Sequence, residues 1–123
     1  MSNTKAVLYN WDEVRREPMR GSISRRVIAT ERMTVGQIFL EKGDVVPRHS
    51  HENEQLTYVI TGALQFWFGD ADEQEVLVRA GHLVVIPAGL PHRALAVETT
   101  FEIDIFNPPR KDWQDGSDAY LRT

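Results

Sequence analysis

Apolar positions along this chain fall into short runs, and within most of them apolar and polar residues alternate with a period of two. The runs are Arg26–Thr30, Met33–Leu40, Leu56–Thr61, Leu64–Phe68, Glu75–Val78, Leu83–Ile86 and Phe101–Phe106. They are rich in β-branched and aromatic residues, and a period of two sends alternate side chains to opposite faces of an extended strand. Turn-forming clusters separate them: Glu41-Lys42-Gly43-Asp44, Thr61-Gly62, Gly69-Asp70-Ala71-Asp72, Ala80-Gly81-His82 and Pro87-Ala88-Gly89-Leu90-Pro91. Many short strands punctuated in this way predict an all-β sandwich or barrel with little helix. Ahead of the strands, Asn10 followed by Trp11, Asp12 and Glu13 predicts an N-cap and a short helix that Pro18 and Gly21 bring to an end. After Pro108 the chain is polar, and Asp112 marks the start of a last short helix. Residues 1–22 therefore read as an N-terminal extension, 23–107 as the barrel and 108–123 as a C-terminal tail of one domain.

Composition narrows the chemistry. With 123 residues the chain is the size of one domain and can bury roughly two-thirds of the surface its unfolded form exposes. It has no cysteine, which excludes disulfides, thiolate metal sites and cysteine nucleophiles. Any metal would be held by histidine, carboxylate, amide or water. The net charge is −4, from 14 basic and 18 acidic residues, without the basic stripe of a nucleic-acid binder. No apolar run reaches the length of a membrane span, and the opening MSNTKAVLYNW lacks the apolar core of a signal peptide. The expectation is a cytoplasmic protein with neither nucleic-acid nor membrane partners.

The candidate chemistry lies in the histidines. Three of the four occur in two ordered patterns. In the first, His49-Ser50-His51-Glu52-Asn53-Glu54-Gln55, an extended backbone puts His49, His51 and Gln55 on one face and Glu54 on the other. Parity thus favours the neutral Gln55 over the adjacent carboxylate as a ligand, and a bulge between His51 and Gln55 would reverse that preference. The second pattern runs from Gly81 through a hydrophobic strand and the Pro87-Ala88-Gly89 turn to His92, which opens the next strand. An isolated His-x-His is a weak signal, and His82, in a glycine turn, is given no role. Together, imidazoles from two distant segments and the Gln55 amide oxygen make an ordinary first-row metal site with positions left for water or substrate.

Near the end of the barrel, Glu102, Asp104 and Phe106 share one strand face, while Phe101, Ile103 and Ile105 share the other, which is expected to be the packed side. Asp104, facing a metal-containing cavity, would serve as a proton donor or acceptor, and Arg110 would clamp a carboxylate. An equally weighted reading has Asp104 and Arg110 paired with each other, or Arg110 tying the tail to the barrel. Phe66 and Phe68 are expected in the core, with Trp67 opposite them in core or interface. Tyr58, Arg48 and Arg93 are expected to point away from the site.

These spacings resemble the cupin superfamily. Its first motif, Gly-x5-His-x-His-x3/4-Glu-x6-Gly, is met by Gly43, His49, His51 and Gly62, with Gln55 in the glutamate's place. Its second, Gly-x5-Pro-x-Gly-x2-His-x3-Asn, is met by Gly81, Pro87, Gly89 and His92, with Ala96 in the asparagine's place. The resemblance spans about Ile23 to Phe106 and implies a double-stranded β-helix, the small cupin jelly-roll barrel. It also implies one divalent transition metal (Zn, Ni, Mn or Fe) on His49, His51, Gln55 and His92. Replacing glutamate by Gln55 removes one negative charge, which suits Lewis-acid chemistry or an anionic substrate. The Asp104, Phe106 and Arg110 tail looks like that of small single-domain cupins of the KdgF type. Those enzymes convert 4,5-unsaturated uronates to the linear keto form. The likeness would give Asp104 proton transfer, Arg110 the substrate carboxylate and Phe106 the pocket's shape. The alternatives are a dioxygen-activating or carbon–carbon lyase cupin and a non-catalytic metabolite sensor. The resemblance further implies a homodimer.

Overall fold

A computed structural model describes residues 4–122; Met1–Asn3 of the N-terminal extension and Thr123 of the tail lie outside the described residues. The chain forms β1 (Glu17–Pro18), β2 (Ser24–Ala29), β3 (Thr34–Leu40), β4 (Val45–His49) and β5 (Glu54–Thr61). It continues with β6 (Ala63–Phe68), β7 (Gln74–Arg79), β8 (Leu83–Ile86), β9 (His92–Ala96) and β10 (Thr100–Asn107). They pair antiparallel into a six-stranded sheet, β1-β2-β3-β10-β5-β8, and a four-stranded sheet, β4-β9-β6-β7. The result is the expected all-β jelly-roll. Asn10 caps a 3₁₀ turn over Trp11–Glu13, its side chain accepting from the Asp12 N–H at 3.0 Å. That turn ends at Val14, before Pro18, and the short β1 follows it.

The period of two becomes burial on β3, β6, β9 and β10, where alternate residues face the space between the sheets. Leu64, Phe66 and Phe68 are buried from β6, with the two phenyl rings parallel and 5.4 Å apart. Val59, Val78, Ile86 and Phe106 close around them. Each such side chain removed from water contributes about 1.5–3 kcal/mol. At Gly62, φ is +89° and a Cβ would sit 2.3 Å from the Thr99 carbonyl oxygen, so the β5–β6 turn admits only glycine.

Strand β10 reverses one expectation. Glu102, Asp104 and Phe106 are the buried set, whereas Phe101, Ile103 and Ile105 are only half-buried on the outer side. Phe101 stacks outside on Phe39 at 5.0 Å. The barrel interior is itself part polar, and that is why the acids lie within it.

The tail folds back over one end of the barrel. A one-turn helix α1 (Lys111–Asp115) carries Trp113 inward, and a 3₁₀ turn at Ala119–Leu121 brings Tyr120 and Leu121 against β4. Gly36 makes the seat, since a Cβ there would stand 3.1 Å from the Trp113 ring. Arg25, fully buried, lies 4.2 Å from the centre of the same ring and bridges Glu17 (2.9 Å) and the buried Asp118 (2.8 Å). The Asp118 contact is a close charge pair that is off-axis for a hydrogen bond.

Candidate metal centre

The segment His49–Gln55 is not one strand. β4 ends at His49, the chain turns through Ser50–Asn53, and β5 begins in the other sheet at Glu54. His51 therefore sits in a loop, not beside His49 on a strand. Alternation still runs through β5, so Gln55 is buried and Glu54 exposed. Gln55 thus faces inward by the alternation of β5 alone, without a continuous strand from His49.

Two loop contacts bring the distant segments together. The Gly89 N–H donates to the His51 carbonyl at 2.8 Å, docking the Pro87–Pro91 turn onto the His51 loop. Asn53, buried, donates its side-chain N–H to the carbonyls of Pro108 and Pro109, tying that loop to the start of the tail. His49 and His92 then face each other as paired residues of β4 and β9. Ring centroids lie 4.3 Å apart for His49–His92, 5.1 Å for His51–His92 and 5.5 Å for His49–His51. The candidate ligand atoms of these three histidines are all within 4.8 Å of one another.

The outer hydrogen bonds set the tautomers of His49 and His92. His49 Nδ1 lies 2.8 Å from the Pro47 carbonyl, His51 Nδ1 3.1 Å from that of Asn53, and His92 Nδ1 2.8 Å from that of Leu90. A carbonyl oxygen only accepts, so Nδ1 of His49 and His92 carries the proton and Nε2 offers a lone pair inward, and His51 would do the same with its proton on Nδ1. His92 Nε2 is buried without any hydrogen-bond partner. Gln55 Oε1 lies 3.0 Å from His51 Nε2, a second acceptor aimed at the same point. The unpartnered His92 Nε2, with the His49 Nε2 lone pair and Gln55 Oε1 converging beside it, fits a cation. This donor set is open to a divalent first-row metal.

Electrostatics keep these rings neutral. Burial, aided by the neighbouring His92, lowers the His49 pKa to about 3. Burial lowers His92 to about 4, and it lowers His51 as well, with the Arg110 charge assisting. The carboxyls move the other way. Burial raises Asp104, and burial together with the nearby Asp104 raises Glu102 well above the usual range.

Asp104, Phe106 and Arg110 line one cavity with His49, Gln55 and His92, and its free volume is about 50 Å³. Asp104 and Arg110 are not partners. Arg110 donates through Nε to Asp112 Oδ1 (2.8 Å) and through a terminal nitrogen to Asp112 Oδ2 (2.7 Å) and the Tyr120 hydroxyl (2.8 Å). These side-chain bonds stay within the tail, and it is the Arg110 backbone N–H, donating to Thr34 Oγ1 of β3 at 2.9 Å, that joins this segment to the barrel. Phe106 is fully buried, with its ring 5.6 Å from that of His51 and 4.8 Å from that of Trp113. The residues expected to face outward do so. Arg48 and Arg93 both bind Asp72, Arg93 lies over Trp67, and Tyr58 is exposed.

Sequence reasoning left several cavity residues without a role. Tyr120 stacks on His49 with ring centres 3.9 Å apart, a contact across more than seventy residues that no local pattern signals. Arg25 and Trp113 line the same cavity, and an arginine in a strand gives no hint of burial. Thr57 and Glu102 had a signal. Each shares strand parity with a residue already singled out, Gln55 and Asp104.

Comparison with known proteins agrees with this geometry. The chain superposes on the structure of KdgF from Halomonas sp. with a TM-score of 0.78 and 25% identity, over 87% of this chain and 99% of that one. It superposes on an RmlC-like cupin from Shewanella frigidimarina with a TM-score of 0.79 and 22% identity, over 89% and 96%. Among curated proteins, acireductone dioxygenase 1 of Coprinopsis cinerea is 31% identical over 86 residues, 67% of this chain. The chain spans about half of that relative, 48% of its length. The sequence pattern of the cupin domain matches residues 36–105, from β3 to β10, and the chain belongs to the cupin family.

Proposed function

We propose that this cupin is a metal-dependent enzyme acting on a small carboxylate-bearing sugar, with the ketonisation of 4,5-unsaturated uronates as the reaction. The observation that carries the reading is the shared cavity: three of the metal donors, His49, Gln55 and His92, line one space with the buried acid Asp104 and Arg110, and the His51 ring lies 5.1 Å from that of His92 at its edge. His49, His51, Gln55 and His92 would hold one divalent metal, Zn, Ni, Mn or Fe. When bound, it supplies Lewis-acid polarisation of sugar oxygens, and the neutral Gln55 leaves its charge less compensated than a glutamate would.

The protein's own groups do the rest. Asp104 exchanges a proton with the substrate as the ring enol ether opens to the keto form. Burial raises its pKa, which lets it carry that proton nearer neutrality than an exposed aspartate. Arg110 receives the substrate carboxylate, and Phe106 forms an apolar wall. The cavity's 50 Å³ is far below the ~300–1,000 Å³ of most ligand pockets, so substrate binding displaces Tyr120 and the Asp112 carboxylate from Arg110.

The test supplies unsaturated uronate to the metal-loaded protein beside His51→Ala and Asp104→Asn. Faster loss of the substrate's ultraviolet absorbance with wild type, lost in both variants, is the expected result. No acceleration by the metal-loaded wild type overturns the reading. A second reading, dioxygen chemistry, draws on the 31% identity to acireductone dioxygenase 1. It requires substrate-dependent oxygen uptake, which the ketonisation does not.

A further inference from the structure

The Gln55 side chain is an amide, and turning it over by 180° exchanges a donor for an acceptor with almost no change of shape. Which end faces the histidines decides whether it is a ligand or an obstruction. On the histidine side, the tautomer of His51 that can ligate gives the amide no reason to turn its oxygen inward. With the proton on Nδ1, toward the Asn53 carbonyl, the Nε2 lone pair faces Gln55 Oε1 at 3.0 Å. In the metal-free chain the reversed amide would donate an N–H to that lone pair and satisfy both groups.

The opposing constraint comes from the other side. Gln55 Nε2 donates to Thr57 Oγ1 at 2.8 Å, and Thr57 Oγ1 donates to Asp104 Oδ1 at 2.7 Å. A hydroxyl has one proton. Once that proton is given to the carboxylate, Thr57 has only a lone pair to offer, and Gln55 must present its nitrogen. The geometry is set by the strands. Gln55 and Thr57 are two apart on one face of β5, and Thr57 lies directly opposite Asp104 in the β5–β10 register. Thr57 is fully buried and Gln55 and Asp104 nearly so, which makes an unmatched donor or acceptor costly there.

We propose that Thr57, held by Asp104, is a positioning residue that fixes the Gln55 amide with its oxygen toward the three histidines. The inference rests on the metal-site reading above. It gives Asp104 a structural task on the ligand beside its proton-transfer task. It also explains how a neutral amide serves where two equivalent carboxylate oxygens would need no such guidance.

The test is a double-mutant comparison of Zn(II) affinity in the full chain, read by competition with a chelator. Thr57→Val removes the hydroxyl at nearly constant volume, Thr57→Ser keeps it, and Gln55→Glu makes amide orientation irrelevant. Thr57→Val is expected to weaken Zn(II) binding about 10–100-fold, the range seen when an outer partner of a metal ligand is lost. Thr57→Ser should restore it. In the Gln55→Glu background, Thr57→Val should cost little, an outcome that general structural damage would not give. Equal loss in both backgrounds, or no loss in either, overturns the proposal. The wild-type chain offers a check that needs no substitution. In the metal-free protein, magnetisation transfer should connect the Gln55 amide protons to Thr57, and transfer to His51 in its place overturns the proposal. Zn(II) binding by wild type with no effect of Thr57→Val removes this inference alone. Absence of binding in wild type removes the metal-site reading with it.

Discussion

Acidification separates a buried histidine site from an exposed one by a large factor. An imidazole ligand must be neutral to bind metal, so protons compete with the metal below its pKa. For three exposed histidines of pKa about 6.5, going from about pH 7.5 to about pH 5.5 costs roughly tenfold in affinity per ring, about a thousandfold together. Here burial brings His49 to about 3 and His92 to about 4, so neither takes up an appreciable proton over that interval. His51 is lowered too, which leaves its share at less than the tenfold of an exposed ring. The apparent affinity for Zn(II) should therefore fall by less than about tenfold, measured by chelator competition with the chelator's own protonation accounted for. A fall approaching a thousandfold would refute the claim that the rings are held neutral by burial.

The same shifts have a counterpart in folding. The unfolded chain takes up protons on its histidines as pH falls below about 6.5, while the folded metal-free chain resists until about 4 at His92. Stability is thus lost as pH falls through that window. For His92 alone the loss at about pH 5.5 is about 1.4 kcal/mol. Glu102 and Asp104, whose pKa values are raised by burial, act with the opposite sign, since the folded chain binds their protons more readily. Urea unfolding of metal-free wild type beside His92→Asn isolates the histidine contribution. The difference between them should shrink as pH falls, and a constant difference would refute it.

Two further substitutions probe the tail. Asp118→Ala leaves Arg25 buried beside Trp113 with only the half-exposed Glu17 as counter-charge, and should cost about 3–5 kcal/mol, read as a lowered urea midpoint. Tyr120→Phe keeps the ring on His49 but removes an acceptor from Arg110. It should lower stability by only about 1 kcal/mol and leave Zn(II) affinity within about twofold, whereas Tyr120→Ala should disturb both.

What could be read from the sequence and what could not divide along a physical line. Alternation is a local property, so the strands, the inward Gln55 and the outward Tyr58, Arg48 and Arg93 were within reach. β4 was harder, because Val45–His49 includes Pro47 and none of its residues is fully buried, which blurs the period. On β10 the alternation was correct and its assignment to inside and outside was not. Apolar residues are assumed to face inward, yet this interior holds Arg25, Thr57, Glu102 and Asp104, each matched to polar or charged neighbours. A strand passing such an interior shows its outer face as the greasier one.

The position of the tail was beyond any pattern in the chain, for a different reason. Trp113 and Tyr120 are placed by what receives them: the bare backbone of Gly36, the Arg25 and Arg110 guanidiniums, and the His49 ring. Apart from Arg110, itself in the tail, none of these is near in sequence, and Gly36, Arg25 and His49 each also have a reading that needs no tail. The site inherits this arrangement. His49 and His92 are aligned by strand pairing and His51 by a loop docked on Gly89, but the open side of the cluster is covered by a segment outside the matched cupin region. Cupins that share the barrel can thus present the same histidines behind different covers. For the proposed reaction, the side chains contributed by residues 108–122, above all Arg110 and Tyr120, and not the donor set, would decide which carboxylate reaches Asp104.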